Sequence, residues 1–476
     1  MLAAASVALV VSGLLPATTS AQPASSPSKV SPMVLRQTAG GRSADFIAIL
    51  ATQADVSGAA LLPTKLDKDR FVFGTLTSFA GRTQAPIKAM LDRMGATYRS
   101  HWVVNALRVT GDRAVVDALA ARADVAQLVP DPWMRSTLLP RTAPRPAAGP
   151  NGIEWNISAV KAPAAWSHGY TGQGIVLGNI DTGQQWDHPA LKPHYRGWNG
   201  VTADHNYNWF DATNPANKSP LDPYGHGTHT AGIMVGDDGG SNQIGVAPGA
   251  KWMSCRSMDA SGAGTPDTYM TCFEFMIAPW DLNGNNPDPT KAPVAVSNSW
   301  YCSISLEGCT QGVLYQTVKN VRAAGIVPVV AAGNSGPICA SIGNDGPPAQ
   351  YDESYTVGAT TMFNSLAGFS SRGPATFNGT RIKPDIVAPG ESVRSSWPPN
   401  IYVVESGTSM ATPHIAGVIA LIYSAKPGLI GNVDATEALI NNTAHHINTS
   451  DCSSSGTFPN NLYGYGFVNA AKATRP

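Results

Sequence analysis

The feature that most constrains the fold of this chain is a run of small and aliphatic residues from Ser409 to Ala425. A helix that is apolar on every face belongs in the interior of a large protein, because none of its sides can face water. Pro413 is tolerated only in the first turn of such a helix, so the helix is predicted to begin near Ser409, after a turn at Gly407. A hydroxyl group and a free backbone N–H then stand at the positive end of a buried helix dipole. This position suits a nucleophile that must generate and hold an oxyanion, although an N-cap serine shows the same pattern.

Short continuous apolar runs recur beyond residue 151 and indicate strands buried on both faces, as in parallel sheets. They cover residues 175–180, 292–296, 326–332, 355–359 and 386–388, and helical segments at 267–278 and 312–324 lie between them. Their alternation predicts an α/β domain with a doubly wound, mostly parallel sheet and helices on both faces. The functional site of such a sheet lies at the carboxyl ends of its strands, where Asp181, Asn298-Ser299 and Asn334 stand.

The segment before residue 151 has a different organisation. Residues 45–130 predict a small α+β unit, with strands at 46–50, 71–73, 106–109 and 125–129 and helices at 85–94 and 112–121. Residues 22–44 are rich in Ser, Pro and Ala and read as a linker. Residues 131–150 carry Pro, Arg and Ala without periodicity, which predicts a second linker that is open to proteolysis.

The N-terminus indicates export. An apolar run from Leu2 to Leu15, followed by small residues up to Ala21, predicts a signal peptide over residues 1–21, although the first basic residue is Lys29. Six cysteines, all beyond residue 250, favour disulfides in an exported protein, and Cys302–Cys309 is the local pair we predict. We therefore expect a secreted protein, extracellular or periplasmic.

Charge excludes other classes of partner. The formal net charge is zero, and no cluster of basic residues indicates binding to nucleic acid. No apolar stretch after the predicted signal peptide is long enough to span a membrane. We expect a chain that binds neither nucleic acid nor membranes.

Four separate positions together match the needs of acyl transfer, which are a nucleophile, a base, an orienting group and an oxyanion donor. Asp181 closes a buried strand, where an unpaired carboxylate is costly. His226 opens a glycine-rich helix, and Asn334 follows a strand in a turn with little side-chain bulk. With Ser409, these residues occur in the order Asp, His, Asn, Ser.

The motifs around these positions resemble the four signatures of the subtilisin-like serine proteases, the subtilase family. They are Asp181-Thr182-Gly183, His226-Gly227-Thr228-His229, Gly333-Asn334 and Gly407-Thr408-Ser409-Met410-Ala411-Thr412-Pro413. The order Asp, His, Ser is that of subtilisin itself. The resemblance covers roughly Trp155 to the C-terminus, and Asn298-Ser299-Trp300 is similar to the bacillopeptidase F-like branch of the family. Residues 45–130 are similar to the family's inhibitory propeptide.

The resemblance implies a role for each matching residue. Ser409 would be the nucleophile, His226 the general base, and Asp181 the residue that orients and stabilises the imidazole. Asn334 would be the oxyanion donor. Ser299 and Trp300 would border the substrate backbone, and Gly333, Ser335 and Gly346 would bind substrate around the first specificity pocket, S1.

The resemblance also implies a function for the whole chain. It predicts a secreted serine endopeptidase made as a zymogen, with residues 151–476 as the catalytic domain, residues 45–130 as its intramolecular inhibitor and residues 131–150 as the processing linker. Proteins or peptides would be the substrates, and the enzyme would be a monomer. Two alternatives stay open: a catalytically silent relative that binds peptides, and an esterase or amidase that uses the same triad.

Competing interpretations of single motifs are weaker. His226 and His229 have the spacing of a zinc pair, but no Glu stands between them as metalloprotease chemistry requires, so His229, like His414, is predicted to be structural. Gly172-Gln173-Gly174 precedes its strand, which argues against a dinucleotide loop. The intact His226 argues against the carboxyl-type relatives, which use Glu as the base.

Departures from the family pattern concern specificity and calcium. Tyr301 stands where the family usually has Gly, which predicts a bulkier pocket rim. Ala190 stands where many relatives have a calcium-binding Asp, and the loop from Asp237 to Gly245 lacks the usual pattern. We expect no required cofactor and no metal at the family's usual calcium site, and leave open a calcium site elsewhere in the chain.

Overall fold

The computed structural model describes residue 1 and residues 29–135, 147–149, 151–301 and 309–475. The predicted signal peptide after Met1 and Cys302 of the predicted Cys302–Cys309 pair lie outside the described residues. No helix among the described residues combines the length and the apolar character that crossing a membrane requires.

The N-terminal unit is a four-stranded antiparallel sheet covered by helices. Its strands are β1 (Ala44–Leu50), β2 (Thr97–His101), β3 (Ala106–Gly111) and β4 (Val125–Pro130), and its helices are α1 (Pro32–Gln37), α2 (Lys65–Arg93) and α3 (Arg113–Ala120). The strand order is β2-β3-β1-β4. This confirms an α+β unit in which three of the four predicted strands exist.

The predicted strand at residues 71–73 is wrong, because these residues lie inside α2. One face of α2 is buried at helical spacing, including Val72, Leu76 and Leu91, and Thr64 caps its N-terminus. The run Phe71-Val72-Phe73 was too short to distinguish a strand from a buried helix face. Part of the predicted linker of residues 22–44 is also structured, since α1 packs against β4.

The second unit is built on a seven-stranded sheet. The strands from residue 134 onward are β5 (Met134–Arg135), β6 (Gly152–Ile153), β7 (Val176–Asp181), β8 (Trp209–Asp211), β9 (Asn242–Gln243), β10 (Lys251–Arg256), β11 (Ala263–Gly264), β12 (Ala295–Asn298), β13 (Val327–Ala331), β14 (Tyr355–Thr360), β15 (Ile386–Pro389), β16 (Val393–Trp397) and β17 (Ile401–Glu405). The order in the sheet is β15-β14-β13-β12-β7-β10-β8, and its strand pairs are parallel. The parallel sheet confirms the predicted α/β class.

Helices alternate with these strands. They are α4 (Trp155–Ala159), α5 (Ala162–Trp166), α6 (His226–Val235), α7 (Pro266–Ile277), α8 (Tyr315–Ala323), α9 (Ser341–Asp345), α10 (Thr408–Ala425), α11 (Val433–Thr443) and α12 (Ala470–Ala473). The predicted central helix is α10, which is buried from Thr408 to Tyr423 and packs against α6 and strands β12 to β15. The prediction that Pro413 lies in the first turn is wrong, since it lies in the second. The Ser409 carbonyl, which loses its helical donor at Pro413, accepts the Ser299 hydroxyl at 2.9 Å instead.

The N-terminal unit packs against α7 and α8 of the second unit. The Asp131 carboxylate accepts a hydrogen bond from the N–H of Asp267 at 3.0 Å, at the N-terminus of α7. Glu274, two turns further along α7, accepts one from the N–H of Val103 at 3.1 Å. Asn320 on α8 donates to the Val103 carbonyl at 2.6 Å. The contact between the two units is therefore polar and directional as well as apolar.

Two disulfides join described residues of the second unit. Cys255–Cys272 joins β10 to α7, and Cys339–Cys452 closes a loop with a sequence separation of 113 residues. The prediction of disulfides is confirmed by these two bonds.

Candidate active site

Strand ends and helix starts bring the predicted catalytic residues to one edge of the sheet. Asp181 is the last residue of β7, and His226 is the first residue of α6. Asn298 ends β12, which pairs with β7 in a register that sets Asn298 beside Ile180. Ser299 therefore lies next to Asp181, and Ser299 in turn contacts Ser409 in the first turn of α10.

Asp181 and His226 form a buried pair. His226 Nδ1 lies 2.7 Å from Asp181 Oδ1, and both side chains are almost completely shielded from solvent. The remaining oxygen, Oδ2, accepts a hydrogen bond from the Thr230 hydroxyl at 3.1 Å, and Oδ1 also accepts the Thr182 N–H at 2.7 Å. The buried carboxylate thus has the partners that its position at a strand end demands. Burial opposes a charge on His226, but Asp181 outweighs it and raises the pKa of the imidazole.

Ser409 is held beside this pair by the chain after β12. Its Oγ donates to the Ser299 carbonyl at 3.2 Å, while the Ser299 hydroxyl donates to the Ser409 carbonyl at 2.9 Å. His226 Nε2 has no hydrogen-bond partner within the described part of the chain. For His226 to take the Ser409 proton, the Ser409 hydroxyl would have to leave the Ser299 carbonyl and turn to Nε2, and catalytic hydrogen bonds often tighten only with substrate bound.

Thr408 determines how the side-chain amide of Asn334 is oriented. Asn334 Oδ1 accepts hydrogen bonds from the Thr408 N–H and from the Thr408 hydroxyl, both at 2.9 Å. Because the oxygen is occupied by two donors, the amide nitrogen must face the other way, and it lies near Gly407 at the start of α10. An N–H donor beside the first turn of α10 is the arrangement an oxyanion hole needs. Thr408, which orients this amide, was not among the predicted site residues.

Asp222 is a second residue that the sequence analysis missed. It is buried, and its oxygens accept hydrogen bonds from the N–H groups of Gly225 at 2.7 Å and Thr228 at 2.8 Å. It also accepts the Thr182 hydroxyl at 2.9 Å, which ties the turn after Asp181 to the turn before His226. An isolated Asp among turn residues carries no sequence signal for this role.

Strand β11 pairs with an extended segment of the same chain. Ala263–Gly264 pairs antiparallel with Met134–Arg135 at the end of the N-terminal unit. A short strand that captures another chain segment through its backbone is a common way to bind peptides. Ser299 and Trp300, the predicted substrate-binding residues, follow β12, and the Trp300 ring is buried in a stack with Tyr269 at 3.5 Å between centroids. The Trp300 side chain is therefore part of the core.

The three residues predicted around S1 lie on two neighbouring loops. Gly333 and Gly346 both have positive φ angles, 103° and 110°, which glycine adopts without strain. The N–H of Ser335 donates to the Ser371 hydroxyl at 2.9 Å, which fastens the loop that carries Asn334.

His229 and His414 are structural, as predicted. His229 donates to the Val403 carbonyl at 3.2 Å, and burial lowers its pKa to about 3. His414 donates to the Met410 carbonyl and accepts from Asn156, both at 2.8 Å, and burial lowers its pKa to about 4. Both imidazoles are therefore neutral and already bonded within the core.

The residues around the usual calcium site do not fit a calcium ion. The Ala190 side chain supplies no oxygen, and its carbonyl accepts the N–H of Asp237 at 3.1 Å. Both Asp238 oxygens are occupied, with Oδ2 accepting the Asn242 amide at 2.6 Å and Oδ1 accepting the N–H of Gly240 at 2.9 Å. A calcium site needs six to eight converging oxygens. The Ala190 carbonyl and the Asp238 carboxylate instead accept hydrogen bonds from the protein.

A parallel α/β sheet with a buried Asp–His pair and a serine at the start of its central helix is the architecture of a subtilisin-like serine peptidase. The sequence comparison agrees, since the subtilase family, peptidase S8, matches residues 172–466. The chain belongs to the subtilase family, and it is a serine endopeptidase by that membership.

Individual relatives support this assignment. The chain is 39% identical to Bacillopeptidase F of Bacillus subtilis (strain 168) over 391 residues, which are 79% of this chain and 26% of that protein. It is 34% identical over 323 residues, 68% of this chain, to M-protease of Shouchella clausii (strain KSM-K16) and to Subtilisin Savinase of Lederbergia lenta. Those alignments cover 70% and 99% of the two relatives. The chain thus spans about a quarter of Bacillopeptidase F but most of the shorter subtilisins.

Proposed function

We propose that this chain is the zymogen of an exported serine endopeptidase that cleaves proteins or peptides through a triad of Asp181, His226 and Ser409. The observation that carries the proposal is the buried Asp181–His226 pair at 2.7 Å, which lies beside the strand end that holds Ser409. An orienting carboxylate on the imidazole serves a reaction in which the imidazole gains and loses a proton.

In the proposed reaction, Ser409 Oγ attacks the scissile carbonyl carbon while His226 Nε2 takes its proton. Asp181 stabilises the imidazolium that results, in keeping with its effect on the pKa of His226. The Asn334 amide and the Ser409 N–H hold the oxyanion of the tetrahedral intermediate. His226 then returns the proton to the leaving amine, and water releases the acyl group from Ser409 by the same steps.

The N-terminal unit is proposed to act as the intramolecular inhibitor. It contacts α7 and α8 through Asp131 and Val103. The end of the unit pairs with β11, which bridges Met258, and the N–H of the preceding Ser257 donates to the Asp181 carbonyl at 2.9 Å. A segment in that place occupies the backbone partner that a substrate would use. Cleavage between about Arg135 and Pro150 would then free the enzyme.

Labelling and substrate choice test this function. A serine-reactive fluorophosphonate should modify Ser409 in the processed protein, as located by peptide mass spectrometry, and Ser409→Ala should abolish both labelling and casein hydrolysis. Hydrolysis of small esters without any casein hydrolysis would favour the esterase or amidase alternative. Absence of both labelling and hydrolysis in the processed protein would favour the silent peptide-binding relative.

A further inference from the structure

A buried carboxylate lies against the loop that carries Asn334. Asp345 is the last residue of α9 and is 5% exposed. A Cβ atom at Gly333 would collide with Asp345 Oδ2, so the absence of a side chain at Gly333 lets the carboxylate approach the backbone of this loop. Gly333 precedes Asn334, and Gly346 follows Asp345. The carboxylate therefore lies between two of the residues assigned to the rim of S1.

No positive charge balances this carboxylate inside the described part of the chain. Asp345 takes part in none of the ion pairs found there. Its Oδ2 accepts the Ser371 hydroxyl, and the Ser335 side chain is the second group that favours its charge. Burial outweighs both hydroxyls and raises the pKa of Asp345. A buried carboxylate with only neutral donors is costly, and a cation in contact with it would relieve that cost.

We propose that Asp345 makes this protease select a basic residue, Arg or Lys, at P1, the residue that contributes the scissile carbonyl. This inference rests on the proposed function and deepens it by naming the substrate class. With the P1 carbonyl held by Asn334, the P1 side chain leaves the backbone next to Gly333, on the loop that Asp345 touches. A carboxylate at the base of S1 selects basic residues in serine proteases of an unrelated fold. Arg would pair best, because its planar fork matches a carboxylate.

The chain's own linker has the composition that such a pocket would accept. Residues 131–150, where processing is proposed, contain Arg135, Arg141 and Arg145 and no lysine. A protease that selects a basic P1 residue would thus find cleavable bonds in its own linker.

A purely structural role for Asp345 makes a different prediction. Through Ser371 and Ser335 the carboxylate also supports the loop of Asn334. If support were its whole role, removing its charge would lower kcat for all substrates by the same factor. A role in selecting substrate would instead change the ratio of kcat/KM between basic and apolar P1 residues.

The experiment compares peptide p-nitroanilides that differ only at P1, with Arg, Lys, Met or Phe, on the processed enzyme. We expect kcat/KM for Arg to exceed that for Phe at least tenfold, and Asp345→Asn to reduce this ratio at least tenfold. Asp352→Asn removes an exposed carboxylate and should leave the ratio unchanged. A wild-type enzyme that prefers Phe, or an Asp345→Asn variant with the wild-type ratio, overturns the proposal.

A second measurement needs no variant. Peptide aldehydes ending in argininal and in phenylalaninal should both inhibit the wild-type enzyme, and the argininal should bind at least tenfold more tightly. Equal or reversed inhibition constants would overturn the proposal. This result does not depend on whether Asp345→Asn folds. Failure of the proposed function is distinguishable, because it would leave the processed enzyme unlabelled at Ser409 and inactive on all four substrates.

Discussion

His101 of the N-terminal unit lies with its Nε2 2.9 Å from Oδ1 of Asp267 on α7, and both side chains are buried. Its Nδ1 is 3.7 Å from Glu274 on the same helix. Burial opposes a charge on His101, but the two carboxylates outweigh it and raise its pKa to about 9. The inhibitory contact that we propose therefore contains a charged histidine between two acids of the catalytic domain.

This arrangement predicts that alkaline pH weakens the contact between the two units. Because the pKa of His101 is raised, its stabilising contribution is complete below about pH 6.5, the value for an exposed histidine, and is lost as pH rises through about 9. Arg99 and Asp131 also lie at this contact, and burial raises the pKa of Asp131 to about 7, so Asp131 titrates mainly below this range. We expect the Tm of full-length Ser409→Ala to fall by a few degrees between pH 7.5 and 10.

Histidine variants show whether His101 causes that fall. His101→Gln in the Ser409→Ala background should be less stable at pH 7.5 and should lose less of its Tm on going to pH 10. His168→Gln changes an exposed histidine and should behave like the parent. A parallel decline in all three proteins would remove His101 as the cause.

Asn334→Ala is expected to lower kcat with KM nearly unchanged, because an oxyanion donor acts on the transition state. The range we adopt, about 10²–10³ in kcat, is the one known for subtilisin itself. Steady-state kinetics on a single peptide substrate measure both constants. A kcat equal to that of the wild type would remove Asn334 from the oxyanion hole.

Substitutions of Thr408 test whether this residue orients the Asn334 amide. Thr408→Val removes one of the two donors to Asn334 Oδ1 and keeps the backbone N–H, so kcat should fall by less than in Asn334→Ala. Thr408→Ser restores the hydroxyl and should recover most of the loss. In the double variant Asn334→Ala/Thr408→Val the second substitution should add little, because both residues act through one amide.

The proximity of the candidate catalytic residues could be predicted from sequence because each lies in a local motif at the end of an element. Asp181 ends an apolar strand and His226 starts a glycine-rich helix, and the structure brings their side chains together at 2.7 Å. Five of the seven strands of the large sheet were predicted because strands buried on both faces are continuous apolar runs, whereas β8 and β10 were not predicted.

Residues that act through long-range contacts could not be predicted. The role proposed for Asp345 depends on its approach to Gly333. Strand β11 forms only by pairing with a strand about 130 residues earlier in the chain. The sequence predicted a strand at residues 71–73 and a helix only at residues 85–94, yet burial of one face against the sheet sustains a single helix, α2, from Lys65 to Arg93. Tertiary packing decided these features, and a single sequence carries no local signal for it.

Self-processing predicts the fate of the inactive variant. Full-length Ser409→Ala, produced in a host that lacks other extracellular proteases, should keep its N-terminal unit, whereas the wild type should lose it. Mass spectrometry of the secreted protein measures both. Ser167→Ala changes an exposed serine and should mature normally.

Addition of wild-type enzyme separates cleavage from folding. If the linker is exposed in Ser409→Ala, added wild type should cut it within residues 131–150. Maturation of the purified variant without any added protease would show that the chain does not process itself.

Arg394 lies beside the loop of residues 237–245, where the resemblance led us to look for the usual calcium site. It is buried, and its guanidinium donates to Glu154 at 2.8 Å, to the Asn242 side chain at 2.8 Å and to the Ala147 carbonyl at 2.7 Å. It thereby joins the segment before α4 to the loop of residues 237–245. A fixed positive charge of this kind disfavours a divalent cation and supplies a link that a metal could otherwise make.

We therefore predict that chelation changes the thermal half-life of the mature enzyme little, whereas reduction shortens it greatly. Cys339–Cys452 closes a loop of 113 residues, for which the chain-entropy model gives about 4–5 kcal/mol. Inactivation is measured with EDTA and, separately, with dithiothreitol. Arg394→Met should shorten the half-life without recovery in added calcium, and Arg475→Met, at an exposed position, should not. A collapse of the half-life in EDTA alone would show a calcium site that this part of the chain does not provide.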